Sequence, residues 1–570
     1  MLPEKNSLDG WAFDNKIALR LLADRMSPMN FALALAWPQP LDPLHSVALS
    51  AVAAVIPLVV VLILMGVLRK SGLLASACGL ASAGILALSV WGMPGKLALW
   101  SVIYGLAYAV WPILWIVFTA LWLYNLCCDT GKIELLRRWM EHHASGDACI
   151  QAILVAFCFG SLIEGTAGFG APVAMTAFLL VGLGFQPRRA VIVSLISNTA
   201  PVAFGSLGIP IVALAGVTGL NVLKLAAMVG RQIPLLSLIL PAYLALVVGG
   251  SKGLRRCWPA ALVAGGSFSL AQFLVSNWWG PYAADIIAAL TSIAALTAFL
   301  QIWRPKAQNL TDGRSSDGPP GAARVFLTRG VAFAGWLPWA LLSAVMVVWS
   351  YLRLFQKGQI AIPVPHLHNE ILITLYQKPY AALYSFQPLA AGTAALVAAV
   401  LTALFIHAKP GVFFSSGKKT FLQLRLPGLT VMLIVGLAYL YNYSGMAYTL
   451  GAAVARVGRG FPLVSSYLGW AACFLTGSDT ASNLLFGNLQ VAAARQLHLN
   501  PLLLAATNCT GAVTGKMISP QNIAVGVTTV SLIGEEGSVL RGTFWHSVLL
   551  AGMIGVLAYA QAYWMGWRVP

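Results

Sequence analysis

The 570-residue sequence is 59% hydrophobic and only 9% charged, against about half apolar and a quarter charged in soluble domains, which excludes a soluble globular fold and indicates a polytopic membrane protein. The excess of 35 Lys and Arg over 17 Asp and Glu does not indicate a nucleic-acid partner. The basic residues fall mostly in short connections between apolar runs, as in loops retained in the cytoplasm, so the expected partner of the surface is the lipid bilayer. Eight cysteines are scattered with no CxxC spacing, so the sequence predicts neither a metal site nor a disulfide framework, and no cofactor.

Residues 1–45 read as a polar N-terminal extension leading into the membrane. The stretch before Met29 is mixed in charge and lacks a signal-peptide pattern, so it is read as a tail or an upstream start, with Met29 the more natural beginning. Runs long enough to span, about 20 residues, occur near 47–68, 73–92 and 100–126, with Arg69 and Lys70 assigning the first loop to the inner side. In GKIELLRRWMEHHASGD, Ile133, Leu136 and Met140 share one helical face, which predicts an amphipathic helix on the inner membrane surface. The segment 149–185 is split by glycines around Glu164 into arms of about ten residues, too short to cross singly, and is read as a re-entrant hairpin. A span over 190–216, broken from Asn198 to Pro201, follows, then spans near 232–249, 258–276 and 283–302, which close a first half covering 46–302.

The Pro/Gly/Ser-rich stretch 303–330 is read as a cytoplasmic linker. The second half, 331–570, has spans near 331–351, 386–406, 427–443 and 544–565, and the loop 352–384 with His366, His368 and Glu370 is read as a solvated connection rather than a metal site. A second hairpin is expected at 462–496 and a second broken helix at 501–533. Counting spans orients them opposite to the first pair. Asn198 and Gly205 in the first copy match Asn508 and Gly515 in the second, with Pro210 and Pro520 equally far beyond. Paired broken segments in two halves point to a transporter's binding site. The predicted fold is therefore an all-α polytopic membrane protein of about 12 transmembrane helices, two re-entrant hairpins and an inverted repeat.

Glu164, Asp285 and Asp479 are the acids embedded in apolar sequence, and Asp285 is close enough to the start of its span to lie in the interface. A buried carboxylate is a functional hypothesis by default; the structural alternative is an acid that caps hairpin N–H groups. Glu164, ahead of Asp479, is the candidate for proton coupling, because a carboxylic acid held away from water takes up a proton more readily. Lys516, opposite Ser206 in the first copy, needs an anion, either Asp479 or a substrate carboxylate. Asn198, Thr199, Asn508 and Thr510 at the breaks, Ser478 and Thr480 beside Asp479, and Gly165, Gly168 and Gly170 complete the candidate binding residues. Broken-helix N-termini suit a carboxylate, although Asn and Thr at such breaks also serve simply to satisfy backbone. No catalytic residue is assigned: His546, the histidine nearest the breaks, is expected in the final span.

The motifs EGTAGFGAPVAMTAFLLVGLGFQP, SNTAPVAFGSLGIP, NYSGM, FLTGSDTASN and TNCTGAVTGKMISPQNIA closely resemble the L-lactate permease family of bacterial plasma-membrane carriers, in order from about residue 40 to the carboxyl end. The resemblance implies a multi-pass inner-membrane protein, not an enzyme, that takes up lactate and glycolate with protons. It also implies kinship with the ion transporter superfamily, in which a transport domain moves like an elevator against a scaffold. Residues 1–28 look foreign to the family, and 303–330 carries no matching motif. A sodium-coupled or dicarboxylate carrier and, more remotely, an intramembrane enzyme are the alternatives, and assembly into a homo-oligomer is left open.

Overall fold

The computed structural model describes residues 36–570 apart from 69, 144–146, 167, 169, 304–328, 355–356, 375–377, 533 and 567–568. Almost all of the N-terminal extension, Arg69 and nearly the whole predicted linker therefore lie outside the described residues. Strand β1 (Trp37–Pro38) precedes α1 (Val47–Leu62), α2 (Gly72–Ser89), α3 (Gly95–Tyr108), α4 (Trp115–Asp129), α5 (Lys132–His143), α6 (Ala148–Thr166), α7 (Ala171–Gly182), α8 (Pro187–Ser197) and α9 (Gly205–Thr218). Then come α10 (Val222–Val229), α11 (Ile233–Trp278), α12 (Ala284–Ile302) and α13 (Arg329–Tyr351). After β2 to β5 follow α14 (Ala391–Phe405), α15 (Pro410–Ser444), α16 (Met446–Val454), α17 (Phe461–Thr476), α18 (Asp479–Gln496), α19 (Pro501–Lys516), α20 (Pro520–Thr529) and α21 (Glu536–Tyr563).

Among the described residues, 8 helices are long and apolar enough to cross a membrane, or 9 if α8 and the segment Val202–Thr218, inclined at 64°, form one span. The expectation was about 12. Part of the difference lies in α11. Straight, its 46 residues would reach roughly 70 Å, twice a bilayer core. Instead the chain turns at Gly250, whose φ of 62° favours glycine. The two arms run back along each other: Ser269 Oγ donates to Pro234 O at 2.6 Å and Ser237 Oγ to Gln272 Oε1 at 2.8 Å. These arms correspond to the two spans predicted near 232–249 and 258–276.

Three further expectations are corrected. The fold is helical but not purely so, because the loop predicted as a solvated connection holds β2 (Ile360–Pro363), β3 (Ile371–Ile373), β4 (Lys378–Pro379) and β5 (Leu383–Phe386). β2 pairs antiparallel with β5, Ile360 opposite Phe386, and β3 pairs parallel with β1 and antiparallel with β4. Leu367 and Ile371 are fully buried beneath this cap, whereas His366 and Glu370 are exposed. The apolar face of α5 is covered by protein rather than left for lipid: Leu136 is buried, and Trp139 meets Trp336 of α13 edge-on at 5.0 Å. The side chain of Met140 lies outside the described residues. Finally, the span expected at 427–443 is the second half of the 35-residue α15.

The helices pack as two groups. In the first, α15 lies against α2, α3 and α4, α14 against α4 and α13, and α13 against α5, while α16 packs both on α1 and on α18 of the second. In the second, α17, α18, α19 and α21 pack on one another, α6 packs on α11 and α12, α7 on α8, α9 on α18, and α10 on α19. Each half of the sequence thus contributes its earlier helices to the first group and its later helices to the second.

Candidate functional site

The first predicted hairpin consists of α6 and α7, with α7 folded back onto α6. Its first arm is a wholly buried helix of 19 residues, not about ten, because Gly165 serves close packing instead of interrupting the helix: a Cβ there would lie 3.0 Å from that of Asp285 on α12. The true turn is at the tip. Gly168 and Gly170 have φ of 57° and 84°, and a Cβ at 168 would meet Ser206 Oγ at 2.1 Å. In the second hairpin, α17 and α18 join at Gly477 and Ser478, and the Ser478 hydroxyl caps α18 by accepting from Ala481 N at 3.2 Å.

The two predicted broken helices differ. Between α8 and α9 the backbone leaves the helix from Asn198 onward, and the start of α9 is itself distorted, with Ser206, Leu207 and Gly208 at left-handed φ values of 46°, 60° and 75°. In the second copy, α19 runs unbroken from Pro501 to Lys516, so Asn508 and Thr510 are not at a break. The interruption comes at Met517–Ser519, before α20. Glycines 511 and 515 instead let α19 touch α17: a Cβ at either would lie 2.1 Å from Ser466 O or 2.3 Å from Trp470 O. Small residues serve this purpose where membrane helices approach closely.

These elements converge on one buried charge cluster. Lys516 Nζ donates to Glu164 Oε1 at 2.8 Å, and Asn198 Nδ2 donates to Glu164 Oε2 at 3.1 Å. The anion that Lys516 meets is thus Glu164, and neither of the two expected from sequence. Asp479 is as buried as Glu164, each at 3% exposure. Its Oδ2 accepts from Cys509 Sγ at 3.3 Å and its Oδ1 has no partner among the described residues. Among the described residues no cation lies within ion-pair distance of it.

A cavity of about 350 Å³ opens beside this cluster, between the two helix groups. The second group supplies its polar wall: Glu164, Ser206, Ser478, Asp479, Thr480, Lys516, Gln521 and Asn522. The first group supplies Met65, Ile113, Val117, Val431 and Ile434, with Pro427 and Thr430. The N-termini of α18 and α20 border the same space; the Ser478 and Ser519 hydroxyls accept from Ala481 N and Asn522 N and Pro520 has no N–H, which leaves the N–H groups of Asp479, Thr480 and Gln521 without a partner inside their helices.

Of the residues singled out from sequence, Glu164, Gly170, Ser478, Asp479, Thr480 and Lys516 line the cavity. Gly168 fits against Ser206, and Asn198 and the buried Thr199 lie behind the lining. Asn508 and Thr510 are turned into the second helix group: Asn508 donates to Asn483 Oδ1 at 3.0 Å, and Thr510 to Gln232 Oε1 at 2.7 Å. Asp285 is buried rather than interfacial, at 1% exposure, and accepts from Gln272 Nε2 at 2.8 Å. His546 is on α21, in contact with Tyr243. Gln521 and Asn522 were missed because a second break at Asn508 was assumed; Pro520 was the available signal for a helix start.

One cluster of metal-ligand side chains follows no CxxC pattern, because its members come from α11 and the start of α6. Asp147, Cys149 and Cys257 bring their ligand atoms within 4.8 Å of one another. The carboxylate is already engaged, capping α6 through Cys149 N at 2.9 Å and pairing with Arg256 at 2.8 Å.

Helices of spanning length packed around a buried polar cavity between two helix groups define a multi-pass membrane protein. The family model described as L-lactate permease matches residues 50–565, and the chain belongs to that family. It is 40% identical to the glycolate permease GlcA of Escherichia coli (strain K12), over 92% of this chain and 98% of that protein. It is 39% identical to the L-lactate permease of Bacillus subtilis (strain 168), over 94% and 100%. Among solved structures, the Neisseria gonorrhoeae efflux pump MtrF is similar with a TM-score of 0.44 and 14% identity, over 82% of this chain and 84% of that one. A score at that level carries no fold assignment.

Proposed function

We propose that this protein is a secondary active transporter that takes up L-lactate and related 2-hydroxymonocarboxylates, D-lactate and glycolate among them, together with a proton across the bacterial plasma membrane. The observation that carries the reading is the cavity's asymmetry: among the described residues, every charged group that lines it comes from one helix group, and the opposite wall is almost entirely apolar. The names of the lactate and glycolate relatives support the substrate class.

The substrate carboxylate competes with Glu164 for the Lys516 ammonium and takes the first-turn N–H groups that the caps leave, those of Asp479 and Thr480 on α18 and Gln521 on α20. Short polar side chains such as Ser206 and Thr480 meet the hydroxyl. With both acids ionised, Glu164, Asp479 and Lys516 carry one net negative charge. A bound monoanion alone doubles it in a medium of low dielectric, where like charges repel strongly. A proton on Asp479 cancels the addition, so the empty and fully loaded sites bear the same charge, and anion and proton are favoured to bind together. The second helix group, with its hairpins, then acts as the transport domain and slides against the apolar wall of the first, the scaffold.

The test is uptake of labelled L-lactate, D-lactate, glycolate and succinate into proteoliposomes, with and without sodium at fixed pH. The expected outcome is saturable uptake of the monocarboxylates, unchanged by sodium, and little of succinate, whose second charge meets no further cation among the described lining residues. Sodium dependence or preferred uptake of succinate would replace this reading with a sodium-coupled or dicarboxylate carrier.

A further inference from the structure

The cavity's apolar wall has a regular construction. Ile113 and Val117 stand one helical turn apart, and Pro427, Val431 and Ile434 fall at helical spacing along one face of α15, so two rows of side chains converge on the same space. Ile113, Val117 and Ile434 are 1%, 2% and 4% exposed, held by packing behind them. Four of the five are β-branched at positions that bear directly on the cavity, and such side chains have little rotamer freedom with which to yield. Thr430 is the hydroxyl that the first helix group contributes, and it already donates to Leu426 O at 3.1 Å. This wall offers a ligand shape, not hydrogen bonds.

We infer that Val117 and Ile113, backed by Val431 and Ile434, determine cargo size. The inference rests on the proposed function and deepens it. With the carboxylate drawn to Lys516 and the helix N-termini, and the hydroxyl to the same polar side, the remaining substituent on the hydroxyl-bearing carbon points at the opposite wall. That substituent is a hydrogen in glycolate, a methyl in lactate, and an ethyl or larger group in longer 2-hydroxy acids. A stiff apolar wall discriminates a methylene by about 10- to 200-fold. Because the wall belongs to the helix group across which the cargo slides, an oversized substituent is opposed along the whole path, not only at binding.

The test compares initial uptake of glycolate, L-lactate and 2-hydroxybutyrate by the purified full-length chain in proteoliposomes. Val117→Ala should raise the 2-hydroxybutyrate to lactate ratio about tenfold, and Val117→Ile, which adds bulk without opening a cavity, should lower the lactate to glycolate ratio about tenfold. Ratios within about twofold of wild type in both variants overturn the size filter, as does loss of all three acids in variants that remain monodisperse. A wild-type protein that carries none of the three instead overturns the function on which the inference rests.

Discussion

Replacing Lys516 with Met should lower monocarboxylate uptake by about 100-fold or more, the scale expected when a buried charge-assisted bond to a carboxylate is lost. Among the described residues Lys516 is the cation on the cavity wall, and its ammonium stands 2.8 Å from Glu164 in a setting where both side chains are less than a tenth exposed. The single variant leaves Glu164 as an uncompensated buried charge, which destabilises by about 3–5 kcal/mol, so loss of uptake alone would be ambiguous. The double variant Lys516→Met with Glu164→Gln removes both charges and should recover folded yield. It should not recover transport, because the anion still lacks its cation. Measured side by side, thermal stability in detergent and initial uptake rate separate the two effects; a double variant that transports at wild-type rate would remove Lys516 from substrate binding.

The second large effect is expected at Asp479. Asp479→Asn preserves shape and fixes the neutral form, so the site can load a monoanion but never alternates its proton. Exchange of internal for external lactate should persist, while uphill accumulation under a pH gradient falls to about unity. The sequence reading ranked Glu164 first for this role. In the structure Glu164 already shares its two oxygens between Lys516 and Asn198, whereas one oxygen of Asp479 has no partner among the described residues, and our proposal reverses the order accordingly. Proton-driven accumulation in Asp479→Asn would return the role to Glu164.

Much of this site was legible in the sequence because membrane-embedded acids and prolines are costly and therefore informative. Glu164, Asp479 and Lys516 stood out by charge alone. Glycine was more ambiguous. At 168 and 170 it marks a turn that needs positive φ, but at 165, 511 and 515 it marks helices in near contact, and the same letter led to a break being placed at Asn508 where α19 is continuous. The partnership of Lys516 with Glu164 spans 352 positions, and nothing local announces it. The apolar wall was invisible for the opposite reason: Ile113 and Val117 are ordinary spanning residues until the fold sets them opposite the charges. The strands β2 to β5 were missed because runs of two to four residues are too short for their alternation to stand out between spanning segments.

The central claim is that a monoanion and a proton share one cavity and cross as a neutral pair. Lactate accumulation in proteoliposomes, with the membrane potential clamped at zero and an inward proton gradient of about one pH unit, tests it most directly. The account predicts about tenfold accumulation, the equilibrium for one proton per monoanion, with no contribution from sodium. Accumulation that appears only with a sodium gradient, or no accumulation above the external concentration, would contradict it.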